Sequence, residues 1–358
     1  MKRRAWMKQS MAGVAIASSW NGLAAFGQAQ GGRKIKVAQM GVGHAHATKL
    51  QVYRQSPDYE VVGIAEPNDD LRNRAKKLPA YEGLKWFSME DILSMSEVEV
   101  VLVETRVRDL LSTAQRCIEA NKHIHVDKPA GNSMPQWLHI LKAAEERKRL
   151  VQMGYMYRYN PGILLMRELV AKGWLGEIFE VHTVMSKVVD DAARQELAEF
   201  RGGIFFELAC HVLDLVIHLL GEPQRIMSSM KHSSSKKDEL IDNGLLMLEY
   251  PRATATVRSS AIEIDGGDRR HFVVCGTEGT LHIQPLDNPT AKLTLSQPRG
   301  AYKKGTQVIE FPKYTRYVAD AADMAKILKG EKQSDYTYQH DALVQKVLLE
   351  ACRMLSQR

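Results

Sequence analysis

The chain has 358 residues, long enough for two domains that each bury a core. With 44 % apolar and 25 % charged residues it has the composition of an ordinary globular protein, which excludes a disordered or fibrous chain. Four of its +7 net charges are Lys2, Arg3, Arg4 and Lys8, which leaves +3 for the rest, and no basic stripe is interleaved with aromatics, so no nucleic-acid partner is expected.

In chain order, the first feature is a targeting pattern. Arg3-Arg4-Ala5-Trp6-Met7-Lys8 is followed by a modestly apolar stretch from Met11 to Phe26, then by the small-x-small site Gly27-Gln28-Ala29. Residues 1–29 resemble a twin-arginine (Tat) signal, which implies a periplasmic or otherwise exported protein; a disordered basic tail is the alternative. The apolar run is shorter than the roughly 20 residues of a bilayer span, and no later stretch qualifies. Cys117, Cys210, Cys275 and Cys352 are widely spaced and suggest neither a disulfide framework nor a zinc site.

From Lys34 apolar strands alternate with amphipathic helices. Strands are expected at Lys34–Met40, Tyr59–Ala65, Val98–Glu104, His123–Asp127 and Val151–Gly154. Helices are expected at Ala45–Arg54, Asp69–Lys77, Leu110–Ala120 and Pro135–Leu150. This rhythm predicts an α/β domain over 33–154, a doubly wound parallel Rossmann sheet. From 155 to 358 the pattern predicts an α+β domain: helices after Pro161 and over Phe206–Leu220, strands at Glu177–Ser186 and repeatedly from Asn243 to Phe311, and two closing helices. Short turns between the later strands predict a mainly antiparallel open sheet. Lys231–Glu239 reads as a solvated loop.

The turn Gly41-Val42-Gly43-His44-Ala45-His46 follows the first strand and keeps the first two glycines of G-x-G-x-x-G, with His46 in place of the third. Gly41 suits a tight turn, and Gly43 leaves room for a pyrophosphate at the following helix N-terminus. Glu66, at the end of the second strand, has the spacing of the acidic ribose ligand; its carboxylate favours NAD, with Arg72 leaving NADP open. Lys128 follows the expected strand His123–Asp127, at the carboxyl end where a doubly wound sheet gathers its ligands. Its ammonium suits a polarising group, or a proton donor and acceptor if its pKa is lowered. Glu207, His211, Asp214 and His218 fall at i, i+4, i+7 and i+11 of an otherwise apolar helix, one stripe that suits a cleft. The stripe also holds the residue types of a metal site, but no second cluster supports one and none is expected.

These pieces, in this order, resemble the Gfo/Idh/MocA family of glucose–fructose oxidoreductase and inositol dehydrogenase. Its G-x-G turn, E-K-P, R-x-x-P and D-x-x-x-H-x-x-D motifs appear as Gly41/Gly43, Asp127-Lys128-Pro129, Arg158-Tyr159-Asn160-Pro161 and Glu207…His211…Asp214. A later Gly276-Thr277-Glu278-Gly279-Thr280 fits the family's substrate-domain sheet. The resemblance implies that Lys128 and His211 form the proton-transfer pair, with Glu207 assisting. It further implies that Lys128, Tyr157, Arg158, Asn160, Glu207, His211 and Asp214 bind the substrate. His44, Ala45, Thr105, Asp127 and Lys128 join Gly41, Gly43 and Glu66 around the cofactor. Asp127 and Glu207 exchange carboxylate lengths relative to the family, and Leu110 stands near the place of a histidine that often follows the strand corresponding to Val98–Glu104.

The resulting expectation is an exported NAD(P)-dependent oxidoreductase acting at a CH–OH group of a sugar or polyol, a homo-oligomer (dimer or tetramer) with the antiparallel sheet as a docking face. One alternative keeps the site: an NAD-dependent glycosidase that oxidises its sugar transiently and recycles the cofactor in place. Another is a non-catalytic dinucleotide- or sugar-binding protein.

Overall fold

The computed structural model describes residues 33–355; the signal-like segment lies outside the described residues. Six parallel strands form the first sheet: β1 (Ile35–Met40), β2 (Tyr59–Ala65), β3 (Trp86–Phe87), β4 (Val100–Val103), β5 (His123–Val126) and β6 (Val151–Met153), in the order β3-β2-β1-β4-β5-β6. Every residue of β4 is buried, as a strand covered on both faces requires. Register aligns the strand ends: Met40 pairs with Ala65 and Val103, Val103 with Val126, and Val126 with Met153. Gly41, Glu66, Glu104, Asp127 and Gly154 therefore follow in one row along the carboxyl edge. The strand order reverses between β1 and β4, which is where an open α/β sheet has its ligand crevice.

Helices cover both faces of this sheet. On one face lie α1 (Leu50–Gln55) and the short, polar α2 (Asp69–Ala75), which Asn68 caps through its side chain. Between β3 and β4 runs α3 (Met89–Ser94), opened by a Ser88/Asp91 capping box; neither β3 nor α3 was expected, because both are very short. On the other face, α4 (Val107–Glu119) buries Leu110, Leu111, Ala114, Cys117 and Ile118 at helical spacing. Beside it α5 (Met134–Glu146) starts on the Ser133 cap and buries Trp137, Ile140, Leu141 and Ala144, large side chains contributing about 1.5–3 kcal/mol each.

The second sheet has eight strands. After α6 (Pro161–Ala171) come β7 (Ile178–Val184), α7 (Asp191–Ala198), a π-helical turn at Phe205–Ala209 and α8 (Cys210–Leu220). Then follow β8 (Arg225–Lys231), β9 (Asn243–Glu249), β10 (Thr254–Ser260), β11 (His271–Gly276), β12 (Gly279–Ile283), β13 (Thr290–Leu295) and β14 (Gly305–Glu310). The order is β14-β13-β12-β11-β7-β10-β9-β8, antiparallel throughout except for the parallel pair β7/β10. Gly276 and Gly279 close the β11/β12 hairpin. Two closing helices, α9 (Val318–Leu328) and α10 (Tyr338–Ala351), complete the chain.

Two features depart from the expected division at residue 154. One apolar cluster runs without a break from Val101 and Trp137 of the first sheet's layer to Val257 and Leu281 of the second, so the two units share a core. In addition α9 returns to the first sheet, where Ala321, Met324 and Ala325 pack with Leu50, Tyr53 and Val100, and Tyr59 Oη donates to the Ala321 carbonyl at 2.8 Å. The loop over Lys231–Glu239 is not merely solvated. Asp238 and Ser234 hold the buried Arg194 guanidinium, together with Asp242.

Candidate active site

The glycine turn lies at the carboxyl end of β1. Gly41 has φ +91°, and a Cβ there would stand 2.5 Å from the Thr105 nitrogen, so only glycine fits between β1 and β4. The expected helix from Ala45 starts later, as a 3₁₀ turn at Ala47–Lys49 that runs into α1. The reason is His46: its N–H donates to His44 Nδ1 and its carbonyl accepts from the Lys49 N–H. No full helix N-terminus therefore faces the turn. The turn itself leaves donors: among the described residues the backbone N–H groups of Gly43 and Ala45 have no protein partner, and the buried Thr105 hydroxyl has none either. Glu66 accepts from the N–H groups of Val42 and Asn68 and keeps further lone pairs at the end of β2. Arg72 donates to the Glu66 carbonyl and pairs with Asp69. Free donors at the turn and an acidic group one strand away fit a dinucleotide's pyrophosphate and ribose.

Lys128, at the end of β5, is wholly buried. Its Nζ donates to Glu207 Oε1 at 2.5 Å and to the Glu207 carbonyl at 2.9 Å. The π turn at Phe205–Ala209 presents both groups of Glu207 together, a widening of the helix often found at functional sites. Burial disfavours the ammonium, yet Glu207, followed by Cys210 and Asp127, raises the Lys128 pKa above the usual lysine value. The lowered pKa that would let Lys128 both donate and accept a proton is not found, because the carboxylate partner sets the opposite sign. Glu207 is driven the other way: burial would raise its pKa, but Lys128 and Lys187 bring it down to about 2. Its second oxygen, Oε2, is buried and unpartnered.

His211 stands beside this pair and is fully buried, with neither ring nitrogen hydrogen-bonded. Its ring lies 5.6 Å from that of His46 and 5.8 Å from that of Tyr157. Burial, then Lys128 and His46, hold its pKa well below the ordinary histidine value, so the ring is neutral.

Behind Lys128 lies a buried polar cluster that sequence reasoning missed. Lys49 Nζ contacts Asp127 Oδ2 at 2.6 Å, His125 Nε2 at 2.9 Å and Glu104 Oε1 at 3.0 Å. Burial would raise the Asp127 pKa, but His44, Lys49 and His46 hold it well below the carboxylate range. Burial raises that of Glu104; Lys49 opposes, and the Asp127 charge adds to the rise. The expected cofactor contacts His44 and Asp127 are turned inward here. His44 Nε2 reaches the Lys128 carbonyl at 2.9 Å, while Asp127 Oδ1 accepts from the Lys128 N–H at 2.7 Å and lies 3.1 Å from His46 Nδ1. His44, His46 and Asp127 come close enough to share a cation, but the Lys49 ammonium already neutralises Asp127. The available signal was the row of residues after the strands, which includes Glu104.

The expected sugar-binding residues separate into two groups. Tyr157 faces His211, and its hydroxyl donates to Asp287 Oδ1 at 3.0 Å. Arg158 and Asp214 face away: Arg158 Nε and Nη2 grip Asp214 at 3.0 and 2.6 Å, and Nη2 also reaches Asp341. His340 Nε2 completes the cluster at 2.8 Å from Asp214. Asn160 caps α6, accepting from Gly162 and Ile163 and donating to the Leu286 carbonyl. Arg158, Asn160 and Asp214 thus have their polar groups engaged within the protein rather than directed at Lys128 and His211. The expected single stripe is divided accordingly: Glu207 and His211 face Lys128, while Asp214 joins Arg158 and His218 packs on Tyr336.

The sequence and the fold have counterparts among known proteins. Residues 35–155 match the family model described as an oxidoreductase family, NAD-binding Rossmann fold, and residues 163–282 match the GFO/IDH/MocA C-terminal domain. Inositol 2-dehydrogenase 3 of Saccharopolyspora erythraea is 30 % identical over 249 residues, 68 % of this chain and 70 % of that protein. The scyllo-inositol 2-dehydrogenase (NADP(+)) of Bacillus subtilis is 24 % identical over 225 residues, 62 % of each chain. In fold, the aldose-aldose oxidoreductase of Caulobacter crescentus superposes with a TM-score of 0.76 at 18 % identity, covering 90 % of this chain and 98 % of that one. The chain belongs to the Gfo/Idh/MocA family of NAD(P)-binding oxidoreductases.

Proposed function

We propose that this chain moves a hydride between a nicotinamide and a hydroxyl-bearing carbon of a sugar or polyol. The observation that carries the reading is His211: a fully buried, neutral imidazole with both nitrogens free, beside the Lys128–Glu207 pair. A buried polar group left unpartnered costs about 1–3 kcal/mol, a cost that a bound hydroxyl removes. When bound, the nicotinamide supplies the hydride acceptor. In the oxidising direction His211 takes the hydroxyl proton on a free ring nitrogen. Lys128, held charged by Glu207, hydrogen-bonds the same oxygen as it becomes a carbonyl. In the reverse direction His211 returns the proton. The Gly43 and Ala45 N–H groups and the Thr105 hydroxyl hold the pyrophosphate side, and Glu66 accepts the ribose hydroxyls, favouring NAD because a carboxylate repels a second phosphate there.

The Arg3-Arg4 segment supports export of the folded protein. The outward face of the second sheet, with Leu245, Met247 and Val308 exposed, supports self-association. The deciding experiment follows nicotinamide absorbance of the purified protein across a panel of sugars and inositols. A substrate-dependent change that Lys128→Ala abolishes supports the assignment, and full turnover by Lys128→Ala overturns it.

A further inference from the structure

The wall facing His211 from the second sheet carries more positive charge than the protein itself neutralises. Asp287 accepts from Tyr157 Oη, lies 2.7 Å from Arg270 Nη1 and 2.6 Å from Arg316 Nη2. One carboxylate thus serves two guanidiniums. Arg270 spends Nε on the Ser186 carbonyl at 3.1 Å, but its Nη2 has no acceptor among the described residues. Arg316 makes no other ion pair among them. Lys187 has no ion-pair partner among them either, although it lies near enough to Glu207 to lower that pKa. Arg270 in turn lies near enough to His211 to oppose its protonation.

Among the described residues Lys128 pairs with Glu207, whereas Arg270 and Arg316 share the single carboxylate of Asp287, which leaves one guanidinium charge unmatched beside the crevice. A neutral sugar does not complement such a surface. An oxyanion does, because guanidinium forks bind carboxylate and phosphate through paired, charge-assisted hydrogen bonds.

We propose that the substrate carries an oxyanion, a sugar carboxylate or a sugar phosphate, and that Arg270 and Arg316 bind it while the hydroxyl-bearing carbon sits at His211 and Lys128. The inference rests on the Lys128–His211 crevice being the place where the sugar reacts. Tyr157 links the two ends: its ring meets His211, and its hydroxyl meets the Asp287 that holds both arginines.

The test has two arms, both on the full protein loaded with NAD. Calorimetry measures binding of glucuronate, of a glucose monophosphate and of glucose. Steady-state kinetics follow hydride transfer with the same three sugars, in the parent protein and in Arg270→Gln and Arg316→Gln. Arg316 is partly exposed, so its variant folds even if the other does not. One of the two anionic sugars is expected to bind at least about tenfold tighter than glucose, and each variant to remove most of that advantage while changing KM for glucose far less. Which anion wins separates carboxylate from phosphate. Equal binding of glucose and both anions, or variants that shift all three alike, overturns the inference and leaves the oxidoreductase reading intact. Absence of hydride transfer from any sugar overturns that reading instead, and calorimetry still decides whether the site selects an anion.

Discussion

His211 and Asp214 stand three residues apart at the start of one buried helix, yet they live in opposite chemical situations. Asp214 has both oxygens in use, in three contacts with Arg158 and His340. Burial works against its charge, but Arg158 and then His340 hold its pKa far below the carboxylate range. His211 has nothing in use. Identity and burial do not distinguish the two, since both are polar and inaccessible. Unspent hydrogen-bonding capacity does. The Arg158–Asp214–Asp341 cluster stabilises one docking of α8 and α10, whereas the Lys128–Glu207–His211 group leaves Glu207 Oε2 and two imidazole nitrogens for a ligand.

The largest expected effect tests the first half of that contrast. Lys128→Ala should lower kcat by about 10²–10⁴-fold, and also lower Tm, because the half-buried Glu207 carboxylate loses its ion-pair partner. The double variant Lys128→Ala/Glu207→Gln should recover Tm without recovering turnover; recovery of both would break the assignment. Next, Arg158→Met should cost about 3–5 kcal/mol of stability, because two carboxylates, Asp214 and Asp341, lose their cation. Chemical denaturation measures this, and kcat per folded molecule should change little. A large loss of kcat with an unchanged unfolding midpoint would place Arg158 in the site after all.

His211→Phe sharpens the comparison most. Turnover should fall about 10²-fold or more, while Tm stays level or rises, since the substitution removes two unsatisfied buried nitrogens. A marked drop in Tm would mean that His211 is structural. The last prediction concerns pH. Burial raises the pKa of Asp320, on α9, to about 7, and its Oδ2 has no partner. The folded protein therefore binds this proton more tightly than an unfolded chain with a pKa of about 3.9, so stability is full below about 4 and declines as pH rises to 7. The full linkage is worth at most about 4 kcal/mol. Asp320→Asn should flatten that decline and raise Tm at pH 8; an unchanged profile shows that Asp320 does not carry it.

Much of the fold was legible because it is local. The runs Lys34–Met40, Tyr59–Ala65 and Val98–Glu104 alternate with helices whose apolar spacing is plain, and they reappear as β1, β2 and β4. The two-residue β3 and six-residue α3 carry too little pattern to be seen. The start of α1 was misplaced because His46 redirects its own backbone toward His44 and Lys49. In the site, Lys128, Glu207 and His211 were legible from their positions in ordered motifs. Lys49, Glu104 and His125 were not, because an ordinary-looking lysine on a short helix carries no sign that two strand ends converge on it.

The sequence by itself determined which residues follow each parallel strand, and so which ones line the carboxyl edge of the first sheet. It also placed Glu207 and His211 on one helix. Only the tertiary structure decided which polar groups are already spent. Arg158 meets Asp214 56 residues later and Asp341 183 residues later, and neither spacing has a local signature. Hydrogen-bonding capacity is consumed by whatever partner the fold delivers, so the unspent remainder at His211 exists only once every other contact has formed.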